Sequence, residues 1–189
     1  MDQNQFEVKG QPRALEMGER LFQAGQAGPV WQVKKGVFRL ERPTQEGMGF
    51  VQLALPGDLI GAEVLCAEPY SFAASAVVDS EACELDICTE AARQQVLTAA
   101  LLQQQLRAVD AVRLRSGSVA SRVDHFLWAL VLANGAITQE VRDSDLPYLR
   151  DIASIVDSAP ESVCRVLGRL VAPRSRGRTP RKPRLSAAT

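Results

Sequence analysis

Between Leu15 and Asp86 the apolar residues fall in short runs cut by glycine-bearing turns. The runs are Arg20-Leu21-Phe22, Val30-Trp31-Gln32-Val33, Gly36-Val37-Phe38-Arg39-Leu40, Phe50-Val51-Gln52-Leu53-Ala54-Leu55, Ser75-Ala76-Val77-Val78 and Ala82-Cys83-Glu84-Leu85-Asp86. Breaks at Ala24-Gly25, Ala27-Gly28-Pro29, Lys35-Gly36, Glu46-Gly47-Met48-Gly49 and Pro56-Gly57-Asp58 space them as an all-β sandwich or barrel does. An antiparallel β domain is predicted here.

The period changes after Ile87. From Thr89 to Leu114 glycine and proline vanish and apolar residues recur at helical spacing, with Gln and Arg on the other faces. The seam Leu102, Leu106, Val109, extended to Ser116, steps by four, three and seven residues and suits a short coiled coil. The same stripe could instead pack on the β domain of its own chain, and spacing alone does not separate the two. Ser116-Gly117-Ser118 is the candidate hinge. A second helix is predicted from Val119 to Ala133, ending at Asn134-Gly135, a third from Tyr148 to Val156 and a fourth from Glu161 to Val171. The last stretch, with six basic residues in 174–184, no acid and almost nothing apolar, is expected to be disordered when free. The predicted organisation is a β domain at 1–88, a long helix at 89–116, a helical domain at 117–172 and a basic tail at 173–189.

Charge changes this picture only when it is resolved along the chain. The 22 basic and 22 acidic residues cancel, which excludes a histone-like coat of positive charge. Yet residues 1–140 hold 12 basic and 17 acidic side chains, leaving 10 and 5 for residues 141–189. The C-terminal part is therefore suited to a polyanion. No apolar run approaches the roughly 18 residues of a membrane span, and the polar start Met1-Asp2-Gln3-Asn4-Gln5 lacks a signal-peptide core, so a cytoplasmic protein with no membrane partner is expected. Cys66, Cys83, Cys88 and Cys164 form no CxxC pair and are expected to be buried or inert thiols. His125 is the only histidine, which excludes a His-rich metal site; no metal and no cofactor are expected, and His125 itself is expected to be packed or capped.

The candidate chemistry lies in Leu149–Leu170. Two short helices that cross closely need a small residue at the contact, which Ala153 supplies, and Asp157 stands where the turn needs a residue tolerant of a left-handed backbone. Ile152, Val156, Val163, Val166 and Leu170 are predicted to face inward. Glu161, Ser162, Arg165 and Arg169 are predicted to face outward, able to enter a major groove. Glu161 has two readings. With Ser158 as N-cap it closes a capping box; with Ala159 as cap, Pro160 takes the first helical position and Glu161 is free to accept from cytosine. Arg165 could then pair with guanine O6 and N7, or merely form a surface ion pair with Glu161.

The order β domain, long helix, hinge, helix-turn-helix resembles the Crp/Fnr superfamily of bacterial transcription regulators. The residues that carry the resemblance are Leu21-Phe22-Gln23-Ala24-Gly25, Val30–Gly36, Pro56–Gly61, Ala82–Leu85 and above all Pro160–Leu170, within a span of 15–170. The resemblance implies an α+β chain: a jelly-roll, cyclic-nucleotide-binding-like β-barrel, a dimerisation helix and a helix-turn-helix. It further implies a homodimer on a palindromic site in double-stranded DNA, with contact to RNA polymerase. Glu161 and Arg165 would read bases while Ser162 and Arg169 hold phosphates, and Cys164 occupies a slot that the Fnr type fills with serine.

Several departures matter. Members that bind cyclic nucleotides use a Gly-Glu pair and, about ten residues on, an Arg-Ser pair, since a buried phosphate needs a guanidinium. Here Gly61 is followed by Ala62, the later stretch reads Phe72-Ala73-Ala74-Ser75, and no Arg or Lys occurs from 43 to 92. The pocket is read as degenerate. No cysteine precedes Cys66, against an Fnr-type iron-sulfur cluster. Residues after Val171 lack the alternation of a β wing, so the wing is expected to be reduced or absent. A non-enzymatic regulator is expected. The alternative is a regulator gated by an unidentified small-molecule effector, or by redox chemistry at Cys83 and Cys88.

Overall fold

The computed structural model describes residues 6–45, 47–133 and 146–170. The polar N-terminus, Asn134-Gly135, the wing and the basic tail lie outside those residues. Eight strands come first: β1 (Val8–Leu15), β2 (Arg20–Phe22), β3 (Trp31–Lys35), β4 (Phe38–Thr44), β5 (Gly47–Ala54), β6 (Leu59–Ile60), β7 (Ala73–Ala76) and β8 (Ser80–Leu85). A 3-10 turn at Ala62–Cys66 separates β6 from β7. Four helices follow: α1 (Glu90–Arg115), α2 (Val119–Ala133), α3 (Leu149–Ile155) and α4 (Pro160–Leu170).

The strands form two four-stranded antiparallel sheets, ordered β1-β8-β3-β6 and β2-β7-β4-β5. The expected closed barrel is thus corrected to a jelly-roll-like pair of sheets. Closure would require edge strands to pair, but the edge strand β6 has only two residues, and the Leu59 backbone is bonded by a side chain of α1 instead. Between the sheets lie Leu15, Leu21, Phe22, Val33, Phe38, Leu40, Ala54, Ile60, Ala74, Ala76 and Ala82. β7, flanked by β2 and β4 in its sheet, is wholly buried.

The long helix meets this domain with its polar face. Thr89 caps α1 by accepting from Ala92 N at 3.1 Å. Val96 packs with Val30, Leu59 and Leu85. Beyond it, Gln103 accepts from Leu59 N at 2.6 Å and donates to Leu59 O at 2.9 Å, completing the β6 edge as another strand would. Gln104 and Gln52 exchange amide hydrogen bonds at 3.2 and 3.3 Å. Arg107 then grips buried Asp58 through Nε at 2.7 Å and Nη2 at 3.1 Å, and Asp110 through Nη1 at 2.7 Å. Asp58 also accepts from Leu55 N at 2.7 Å, so one carboxylate ties the β5–β6 turn to the helix.

α1 stops at Ser116 in extended backbone, Gly117 takes φ +85°, and Ser118 accepts from Ser121 N at 3.1 Å to start α2. Across this break one apolar core is continuous. Val37, Leu53, Leu55 and Val77 of the β domain share it with Leu114, Val123, Phe126, Leu130, Ile152, Ile155, Val156 and Val163. His125 is half-buried, its Nε2 lying 3.5 Å from Asp110 Oδ1.

Burial pushes the Asp58 carboxyl above its ordinary value, and the Arg107 contact opposes this only in part. The folded carboxyl therefore holds its proton more tightly than the unfolded one, so its contribution to stability grows as pH falls between the two values. Arg107→Met leaves that buried charge unpaired and is expected to cost about 3 kcal/mol at neutral pH. The cost should shrink when urea unfolding is repeated at pH 5, because protonation then relieves the charge.

Candidate nucleic-acid interface

The α4 helix starts at Pro160, with the Ala159 carbonyl accepting from Ser162 N at 3.0 Å and Val163 N at 3.2 Å. Ala159 is thus the cap, and the capping box that Ser158 would close is not the geometry adopted. Glu161, Cys164, Arg165 and Arg169 are exposed, and Ser162 is half-buried. Among the described residues neither Glu161, Arg165 nor Arg169 has an ion-pair partner, so the surface pair between Glu161 and Arg165 is not formed. Val163 is fully buried, and Val166 and Leu167 pack against the core. Leu170, predicted inward, is exposed: it is the last residue of α4, past the edge of that core.

The connection from α3 places this helix. Asp157 has φ +50°, as its position predicts, and Ser158 N donates to Ala153 O at 3.0 Å across the turn. Ala153 is buried at the crossing. Two arginines from outside the pair hold the end of α3. Arg122 of α2 donates from Nη1 to the carbonyls of Val156 and Asp157, and Arg115 of α1 donates to Ser154 O at 3.2 Å. Sequence inspection missed both, since a helix-end carbonyl leaves no mark on the distant residue that serves it.

The expected seam on α1 is bare. Leu102, Leu106 and Val109 are 55, 64 and 51% exposed, with Leu101 and Val112 beside them. The alternative in which this stripe packs on its own β domain is overturned, since Gln103, Gln104 and Arg107 take that face.

The β domain interior is filled by its own side chains. Tyr70 stacks on Phe22 at 3.8 Å, donates to Pro29 O at 2.6 Å and accepts from Trp31 Nε1 at 3.3 Å. Burial pushes its phenol above the ordinary value. A Cβ on Gly28 would lie 2.2 Å from the Tyr70 hydroxyl, and one on Gly61 would lie 2.5 Å from the ring, so both glycines are needed for the ring to fit. Glu63 accepts from Ser71 N at 2.7 Å. All four cysteines are free; Cys83 is buried as expected, Cys66 and Cys164 are exposed, and Cys88, expected on a buried strand, is exposed instead. Cys88 is exposed because β8 ends at Leu85, before it; its thiol donates to Asp86 at 2.8 Å and is pushed above its ordinary value by that contact. Among the described residues no His, Cys, Asp and Glu cluster could hold a metal ion, and no helix is long and apolar enough to cross a membrane.

Comparison with known proteins places these features. The cyclic nucleotide-binding domain family matches residues 12–87. No curated protein matches the sequence significantly. Among solved structures, a CRP-family transcriptional regulator from Thermus thermophilus aligns at TM-score 0.65 and 23% identity, over 84% of this chain and 83% of that one. FixK2 from Bradyrhizobium japonicum aligns at TM-score 0.62 and 20% identity, over 86% and 85%. A c-di-GMP responsive global regulator from Xanthomonas campestris aligns at TM-score 0.58 and 17% identity, over 85% and 86%. Residues 12–87 thus match the cyclic nucleotide-binding domain family, and the chain has the fold seen in CRP/FNR-family transcriptional regulators.

Proposed function

We propose that the protein is a cytoplasmic, non-enzymatic transcription regulator of the CRP/FNR type that binds a palindromic DNA site as a homodimer. The observation that carries this reading is the free face of α4, where Glu161, Arg165 and Arg169 stand exposed without partners among the described residues. In a major groove, Glu161 accepts from a cytosine amino group and Arg165 donates to guanine O6 and N7. Ser162 and Arg169 hold phosphates, fixing register without reading sequence. The bare apolar seam of α1 supports pairing of two copies, which sets two α4 helices in successive grooves. RNA polymerase is the partner through which bound protein would act.

The β domain is proposed to have a degenerate pocket. A cyclic phosphate buried between the sheets needs a guanidinium, whereas 43–92 carries none and the Ser71 amide is already held by the Glu63 carboxylate. Arg39, Arg93 and Arg107, basic residues that face the domain, are committed to acidic partners or, for Arg93, also to the Leu65 carbonyl. The residues present do not fit a cyclic nucleotide in the usual mode. A different effector, uncharged or held elsewhere, is the second reading; the match of 12–87 to a ligand-binding domain family favours it over a purely constitutive regulator.

Selection of bound sites from random duplexes is expected to enrich a palindrome, and enrichment of none would overturn the proposal. Arg165→Ala should lower affinity for that palindrome about tenfold to a hundredfold in fluorescence anisotropy while sparing binding to unrelated DNA. Leu106→Glu should convert a sedimenting dimer into a monomer and weaken palindrome binding by about a hundredfold or more. Cyclic AMP and cyclic GMP should leave the melting temperature unchanged.

A further inference from the structure

The β4–β5 hairpin reaches the α3–α4 pair through two polar grips, one at each end of α3. At the start of α3, Asp151 accepts from Arg39 Nη1 of β4 at 3.0 Å, a contact between residues 112 apart in sequence. Behind it, Arg39 Nη2 lies 3.1 Å from Glu41, whose side chain is only 4% exposed. At the other end, the Arg115 guanidinium lies 5.1 Å over the ring of Phe50 in β5, donates to Ser154 O and sits 3.5 Å from Asp157. Phe50 itself packs against the core that holds α3 and α4.

These contacts are arranged as a latch. The buried Glu41 carboxylate requires a cation and keeps Arg39 fixed whether or not α3 is present. Asp151 therefore meets a guanidinium already in place, so little side-chain freedom is lost in making the contact. When Asp151 leaves, Arg39 keeps Glu41, and no buried charge is stranded. Likewise Arg115 rests on an aromatic face that belongs to the β domain while its donors face the α3 carbonyl end, where a cation is also favoured by the helix dipole.

We propose that Arg39, Glu41 and Arg115 are positioning residues that let the β4–β5 hairpin set the pose of α4. The consequence for DNA rests on the function proposed above; the latch itself does not. Any change in the hairpin moves α3 at both ends, and α4 with it, because the turn at Asp157 is held by Arg122 and cannot absorb the shift freely.

The exposed thiols Cys66 on the β domain and Cys164 on α4 provide the measurement. Spin labels on these two, in a Cys88→Ser background diluted with unlabelled protein, report the intramolecular distance by pulsed electron resonance. The parent should give one narrow distribution. Asp151→Asn and Arg39→Gln should each roughly double its width or add a second peak. The double variant should match Arg39→Gln, which already removes the Asp151 contact and in addition strands the buried Glu41 carboxylate. Phe50→Leu should broaden it independently through the other grip. Circular dichroism and melting temperature close to the parent's identify variants that have kept their fold. Unchanged distributions in Asp151→Asn and Phe50→Leu would overturn the latch. Palindrome affinity, followed in parallel, should fall about tenfold in Asp151→Asn. If the parent binds no palindrome, the DNA function falls while the distances still decide the latch.

Discussion

The arrangement of this chain depends on one buried carboxylate. Asp58 caps its own turn at Leu55 and receives two of the three donor nitrogens of Arg107, so the side of α1 that carries Arg107 must face the β domain. Gln103 and Gln104 lie on the same side and find the β6 edge and Gln52 waiting. Once the polar side is committed inward, helical geometry turns Leu102, Leu106 and Val109 outward. A buried ion pair is seldom a large net source of stability, yet here it selects which face of a helix is left for another molecule.

The C-terminal helices follow from that placement. α1 delivers Leu114 to the core at its far end and Arg115 to the α3 carbonyls, while the break at Gly117 lets α2 fold back over Val37, Leu53 and Val77. The β domain and the helices are thus coupled by apolar packing at the centre and by arginines at the rim. Such a core resists partial sliding, because close-packed side chains have few intermediate arrangements.

Where local chemistry decided the structure, the sequence was legible. The start of α2 follows from the break at Ser116-Gly117-Ser118, and the left-handed Asp157 from the need of a tight turn. The outward set Glu161, Arg165 and Arg169 followed from helical period alone. Legibility failed where the partner was remote. β1 is an edge strand interrupted by an irregular register and buries only Leu15, so it lacks the alternation that marks a strand. β6 is defined by pairing with β3 and has no pattern of its own in two residues. Gln103 and Gln104 looked like surface fillers because amides usually are; Gln103 turns inward because the β6 edge needs both a donor and an acceptor, and Gln104 because the buried Gln52 amide does. The grip of Arg39 on Asp151 spans most of the chain and has no signature on either side.

The inverted polarity of α1 has a consequence for dose. A helix that keeps its glutamines inside and shows its leucines to water covers them most cheaply against a second copy, and such pairing grows with the square of concentration when copies are few. Occupancy of a site that requires two copies then rises more steeply than in proportion to the amount of protein made. Under the function proposed above, a protein of this build responds to its own abundance as a threshold, set by its synthesis and degradation.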